Sequence, residues 1–217
     1  MNLPAYKIGS DLACHIPLLK QLAKSSKPLI LSTGMCTMDE LIDSVGAIIK
    51  EGNKQLVLLH CISDYPTKPD ECNLLAINSM KTTFNIPIGY SDHTIGINAC
   101  FTASILGANM IEKHFFDPKN SSGPDDVHSI TKDQFKELIE LVRYSEKILG
   151  DGEKKPSKSE KKNLLTNRVS IVTIKEISKR DKISISNIDI KRPGTGIPSS
   201  EIYNLYGKIS KRNFKED

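Results

Sequence analysis

The feature that most limits how this chain can fold is a plan repeated five times in residues 1–150. A short apolar run ends in polar, chemically capable residues, and a helical pattern follows. The runs are Ala5–Ser10, Leu29–Gly34, Leu56–Cys61, Ile86–Asp92 and Met110–His114. Between them, Met38, Leu41, Ile42, Val45, Ile48 and Ile49 keep the three/four spacing of one buried helical face. Phe135, Leu138, Ile139, Val142 and Leu149 do the same in the last helix. Thr37-Met38-Asp39-Glu40 and Thr131-Lys132-Asp133-Gln134 open these two helices as capping boxes, in which a hydroxyl and a carboxylate or amide oxygen each accept from an orphan backbone N–H. Strands that alternate with helices form a parallel sheet through right-handed crossovers. Runs that are apolar throughout suit strands covered on both faces. The expected class is α/β.

Residues 151–166 are expected to be a charged linker: residues 150–163 hold eight charges and nothing to pack. Beyond it, Val169–Ile174 and Ile183–Ile190 read as strands of a small β-rich domain over 167–217, with a turn-rich loop at Lys191-Arg192-Pro193-Gly194-Thr195-Gly196. At 217 residues the chain is too short for an eightfold βα barrel of about 250 residues plus a second domain. The net charge of +4 is uneven: 14 Lys/Arg face 17 Asp/Glu in residues 1–150, and 16 face 9 in residues 151–217. The basic residues are mostly lysines without interleaved aromatics, so a solvated surface is expected and nucleic acid is not. No run of 18 apolar residues is present, and the N-terminus lacks the pattern of a secretory signal. Five scattered cysteines, none in a CxxC pair, read as reduced thiols. The expected location is therefore cytoplasmic, away from any membrane.

Ligands of parallel α/β folds sit at the carboxyl ends of the strands. Those ends carry Lys7 and Ser10; Ser32, Thr33 and Gly34; His60, Cys61, Ser63 and Tyr65; Ser91, Asp92 and His93; Glu112, Lys113 and His114. Hydroxyls beside an ammonium suit a phosphate or carboxylate, since each supplies a directed donor and the cation neutralises charge. His93 and His114 end successive strands, so their imidazoles could converge on one metal. Each has a plainer alternative. A strand-end histidine is more often a hydrogen-bonded structural residue, and Ser32-Thr33-Gly34 could cap the next helix. His60 is set aside as structural, His15 and His128 as helix or loop residues, and Cys61 as a small buried apolar group.

Several segments carry a resemblance. Ala5-Tyr6-Lys7-Ile8-Gly9-Ser10, Leu31-Ser32-Thr33-Gly34-Met35, His60-Cys61-Ile62-Ser63-Asp64-Tyr65-Pro66, Tyr90-Ser91-Asp92-His93-Thr94 and Glu112-Lys113-His114-Phe115 resemble the sialic acid synthase family. Gly123-Pro124-Asp125 and the loop at 191–196 extend the likeness over nearly the whole chain. The resemblance implies the last five βα units of a TIM barrel, followed by a truncated antifreeze-like (SAF) domain. It implies an N-acetylneuraminate synthase-type transferase that condenses phosphoenolpyruvate with an N-acetylhexosamine, N-acetylmannosamine or a relative of it. The product is a nine-carbon 2-keto sugar acid, with phosphate released. By the same resemblance, Lys7, Ser10, Ser32, Ser63 and Ser91 hold the phosphate and carboxylate of phosphoenolpyruvate. His93 and His114 bind manganese or magnesium, Glu112 and Asp125 contact the sugar, and Tyr65 lies between the substrates. Arg192 is lent to the pocket of the other subunit in a domain-swapped homodimer. Set against the family pattern, the resemblance implies that three βα units which open the barrel are not included before Met1-Asn2-Leu3, and that a last strand is not included after Asn213-Phe214-Lys215. Hence the competing expectation of a non-catalytic fragment that keeps partial ligand and metal binding.

Overall fold

The computed structural model describes residues 3–119 and 123–217. The chain divides into two compact units, Met1–Gly150 and Asp151–Asp217. In the first, five strands alternate with helices: β1 Tyr6–Ile8, α1 Ile16–Ala23, β2 Leu29–Ser32, α2 Met38–Lys50, β3 Leu56–Cys61, α3 Ala76–Phe84, β4 Ile88–Asp92, α4 Asn98–Ile105, β5 Ile111–Lys113 and α5 Lys132–Leu149. All pairings are parallel and in chain order, β1-β2-β3-β4-β5. The unit is an α/β half-barrel: the alternation of patterns predicts the parallel α/β class, and the family resemblance implies the barrel.

Register sorts the side chains. Successive strand residues point to opposite faces. Ile8, Leu29, Leu31, Leu56, Leu58, Ile88 and Tyr90 point outward and form one buried core with Leu19, Leu41, Val45, Ile48 and Ile77 of the helices. The opposite parity runs through Lys7, Ser32, Cys61, Ser91 and Glu112; Cys61, Ser91 and Glu112 are directly paired neighbours on β3, β4 and β5. This is the concave face. Four strand spacings separate β1 from β5, about 19 Å in a flat sheet. Yet Lys7 Nζ lies 3.3 Å from Glu112 Oε1. Only a curled sheet lets those two side chains meet.

Both predicted capping boxes form. Thr37 N donates to Glu40 Oε2 at 2.7 Å and Glu40 N to Thr37 Oγ1 at 3.3 Å. Thr131 N donates to Gln134 Oε1 at 2.9 Å and Gln134 N to Thr131 Oγ1 at 3.3 Å. The buried helical faces are narrower than their spacing suggests. Ile42, Ile49, Phe135, Ile139 and Leu149 are exposed, while Leu41, Val45, Ile48 and Leu138 are buried. Each residue turns a helix by about 100°. Positions 42 and 49 therefore stand a quarter turn from 41 and 48 and reach the flank of α2.

In the second unit, β6 Ser170–Thr173 pairs antiparallel with β7 Ile188–Lys191 and with β8 Ile197–Pro198. Ile177, Ile188 and Ile202 form its small buried core, Ile202 coming from α7 Ile202–Leu205. Two sequence expectations change here. The stretch read as linker coils at Glu160–Asn163 and runs into the short helix α6 Leu164–Asn167. The strand expected from Ile183 begins only at Ile188. Ser184 N donates to Asn187 Oδ1 at 2.8 Å and Asn187 Nδ2 to the Lys182 carbonyl at 3.0 Å, so side chains take the bonds a ladder would use.

Candidate active site

A cavity of about 500 Å³ opens at the carboxyl ends of the strands. Ten residues from the strand ends and the loops after them supply its polar lining: Lys7, Ser10, Asp11, Ser32, Ser63, Tyr65, Ser91, His93, Glu112 and His114. The first three strands contribute the ammonium and most hydroxyls; β4 and β5 contribute imidazoles and a carboxylate. Lys7 Nζ donates to Ser32 Oγ at 2.8 Å, and Ser91 Oγ donates to Glu112 Oε1 at 2.7 Å. Glu112 thus receives both Ser91 and Lys7, and one acid ties the two sides of the cavity together. Gly34 N donates to Ser10 Oγ at 3.0 Å. A Cβ at Gly34 would stand 2.3 Å from Ser63 Oγ and 2.9 Å from Ser10 Oγ, so a side chain there would displace both hydroxyls from their positions in the cavity.

Parity separates chemistry from structure at adjacent positions. Asp92 and Lys113 alternate with the cavity residues and point to the helical side. They form an ion pair at 2.8 Å, and both side chains are fully buried. Asp92 also accepts from Tyr90 Oη at 3.1 Å, Thr94 N at 2.9 Å, Thr94 Oγ1 at 3.1 Å and Cys100 Sγ at 3.2 Å. Lys113 donates in addition to the Thr94 carbonyl. This network pins the ends of β4 and β5. His60 also faces outward, with Nε2 2.8 Å from the Cys72 carbonyl and its ring stacked on Tyr90. Thr33 Oγ1 donates to the Leu59 carbonyl, and the cap of α2 is Thr37.

The histidines converge. His93 Nδ1 lies 2.7 Å from the Ile62 carbonyl, which fixes that nitrogen as the donor and leaves Nε2 as a free lone pair. Ring centroids of His93 and His114 are 5.4 Å apart, and Tyr65 lies against His93 at 4.1 Å. Burial lowers the pKa of His93, and so does the charge of His114, against the opposing pull of the Ile62 carbonyl. Burial raises that of Tyr65, with Cys61 and Asp125 adding to it. A third ring joins them. His128, set aside from the sequence, has its centroid 4.6 Å from that of His114 and 6.4 Å from that of His93. One ligand atom each from His114, Asp125 and His128 lies within 4.8 Å of the others, making this the compact group among the described residues that could hold a metal. His93 stands just outside it. Burial lowers the pKa of His128 first, then the charge of His114. The signal for His128 was legible as Asp-x-x-His in a Pro-started turn. Cys61, read as inert, borders the cavity and lies 3.1 Å from Ser10 Oγ. Arg192 belongs to the second unit, where it follows β7.

Residues 1–154 match the NeuB family. The whole chain is 44% identical over 217 residues to an uncharacterized protein of Methanocaldococcus jannaschii, of which it spans 64%. It is 42% identical over 219 residues to the N,N'-diacetyllegionaminic acid synthase of Campylobacter jejuni, again over the whole chain and 66% of that protein. The crystal structure of N-acetylneuraminic acid (sialic acid) synthetase from Leptospira borgpetersenii, in complex with citrate, superposes with a TM-score of 0.70 at 34% identity, covering 75% of this chain and 57% of that one. The chain thus spans just under two thirds of the curated relatives it matches. The matched span takes in every residue that lines the cavity, and by that match the chain belongs to the NeuB family.

Proposed function

We propose that this chain carries the phosphoenolpyruvate pocket and cation site of a synthase that joins phosphoenolpyruvate to an N-acetylated amino sugar. The observation that carries this reading is the Lys7–Ser32–Glu112–Ser91 chain of contacts beside His93 and His114 on one concave face. Lys7 supplies positive charge, and Ser10, Ser32, Ser63 and Ser91 supply rotatable donors, for the phosphate and carboxylate oxygens. A cation fits the donor set, because His93 presents a free Nε2 and His128 presents a buried nitrogen without a partner. His93 and His114 would hold it, and when bound it would polarise the aldehyde oxygen of the open-chain sugar. Carbon 3 of phosphoenolpyruvate bonds to that aldehyde carbon, water adds at carbon 2, and phosphate leaves with its carbon–oxygen bond broken. Glu112 and Asp125 face the sugar, and Tyr65 packs between the two substrates. The second unit is read as an antifreeze-like domain whose Arg192 completes the pocket of a partner subunit in a homodimer.

Titration calorimetry with phosphoenolpyruvate tests the pocket, and phosphate release with phosphoenolpyruvate and N-acetylmannosamine, with and without manganese, tests the reaction. Binding that is lost in Lys7→Ala supports the reading; binding unchanged in that variant removes it. In full-length subunits with the first three βα units restored, mixing a Lys7→Ala subunit with an Arg192→Ala subunit, each inactive alone, should restore some turnover. No recovery after demonstrated subunit exchange would exclude the swapped arrangement.

A further inference from the structure

His128 is 2% exposed, and its Nε2 has no hydrogen-bond partner. A buried nitrogen left in this state destabilises the fold unless something else occupies the direction of its lone pair. What it faces is specific. His128 Nε2 lies 3.8 Å from Asp125 Oδ1, and Asp125 Oδ2 lies 3.6 Å from His114 Nδ1. Both gaps are too long for hydrogen bonds. Two ligands on opposite sides of one ion, each bonded at about 2.1 Å, stand about 4.2 Å apart. The mutual spacing within 4.8 Å is therefore close to that of a filled site.

Local structure explains how the set is built. Pro124–His128 is a 3-10 helix, with three residues per turn, so positions 125 and 128 eclipse and point the same way. Ile130 N donates to the His114 carbonyl at 2.9 Å and Phe116 N to the Ile130 carbonyl at 3.1 Å, which holds the segment after this helix against the residues that follow β5. Tyr65 lies against all three imidazoles, with centroids 4.1, 6.0 and 5.4 Å from His93, His114 and His128. An ion about 2.1 Å from a ring nitrogen lies about 3.2 Å from the ring centroid, so two rings on one ion have centroids at most about 6.4 Å apart. The separations of 5.4, 4.6 and 6.4 Å reach that limit only for His93 and His128.

We infer that His128 is a third imidazole ligand of this cation site and, with Asp125, makes it select a first-row transition ion over magnesium. The inference rests on the cation site of the proposed synthase and deepens it. Magnesium prefers oxygen donors and retains its waters, whereas imidazole nitrogens bind manganese, iron, cobalt and zinc with rising preference.

Cobalt(II) is the probe, titrated into the 217-residue chain and followed by its visible absorption, with magnesium as competitor. Circular dichroism of the metal-free variants checks that each keeps the parent's fold. His128→Ala should weaken cobalt binding by at least about 10–100-fold, the effect of losing even an outer partner of a ligand. It should also let magnesium compete at lower concentration. His128→Cys should retain cobalt and add a thiolate-to-cobalt charge-transfer band absent from the parent chain, which only direct ligation produces. Parent-like affinity in His128→Ala overturns the inference. So does a weakened site with no new band in His128→Cys, which would make His128 a positioning residue. If cobalt is lost in His93→Ala or His114→Ala but indifferent to position 128, only this inference fails. If the parent binds no cobalt, the cation site falls with it.

Discussion

At the residue scale, alternation along a strand decides which side chains do chemistry. Ser91 and His93 face the cavity, while Asp92 between them is buried in an ion pair on the helical side. Lys7 is the cation of the cavity, and Lys7→Ala should weaken phosphoenolpyruvate binding by about 1.5–3 kcal/mol, roughly 10–150-fold, by titration calorimetry. His60 belongs to the other face, and burial lowers its pKa. The unfolded chain therefore takes up a proton more readily there. The stability His60 contributes is complete above about pH 6.5 and is lost as pH falls through its lowered folded value. Denaturant midpoints should fall between pH 7.5 and pH 5.5, and His60→Gln, which keeps a nitrogen near the Cys72 carbonyl, should show a shallower decline. An identical slope in the variant would exclude His60 as a source of the effect. His93 and His128, lowered in the same direction, add to the slope that remains.

At the element scale, β4 and β5 are held by polar bonds as much as by apolar packing. Lys113→Met leaves Asp92 with its hydroxyl, thiol and amide donors but no cation, in a fully buried position. Removing one partner of a buried pair costs about 3–5 kcal/mol, so the variant should unfold at clearly lower denaturant. A loss below about 1 kcal/mol, the scale of an exposed pair, would contradict the geometry. Gly89 on β4 supplies a steric test. A Cβ there would meet the Met110 carbonyl and Leu59 Cδ2 at 2.5 Å each. Backbone cannot yield as a side chain can, so Gly89→Ala should cost about 1–3 kcal/mol by the same assay. The helices show how far periodicity reaches. Leu41 and Ile48 are buried as their spacing requires, but Ile42 and Ile49 lie on the flank, because the pattern marks an apolar stripe and not how much of it a neighbour covers. In the second unit, Ile183–Asn187 alternates like a strand, yet Asn187 closes it into a turn.

At the scale of the whole molecule, β1 and β5 each pair with one strand among the described residues, so the five-stranded sheet has two open edges. Open edges present unpaired N–H and C=O groups that template pairing with another chain. The 217-residue chain by itself should therefore self-associate with rising concentration in sedimentation velocity, and a monodisperse monomer throughout would count against this. The alternation of apolar runs with helical spacing was enough to determine the parallel α/β class and the polar set at the strand ends, since period and parity are local properties of the chain, whereas the sequential strand order is a property of the whole sheet. Lys7, Ser32, Ser91, Glu112, His93 and His114 were all legible in that way. Only the tertiary structure decided that Glu112 meets Lys7 from the far side of the sheet, because curl is a property of five strands together. It alone decided that the locally paired Asp125 and His128 come to rest beside His114: that contact joins a strand end to a turn fourteen residues on, and no local pattern encodes where such a turn comes to rest.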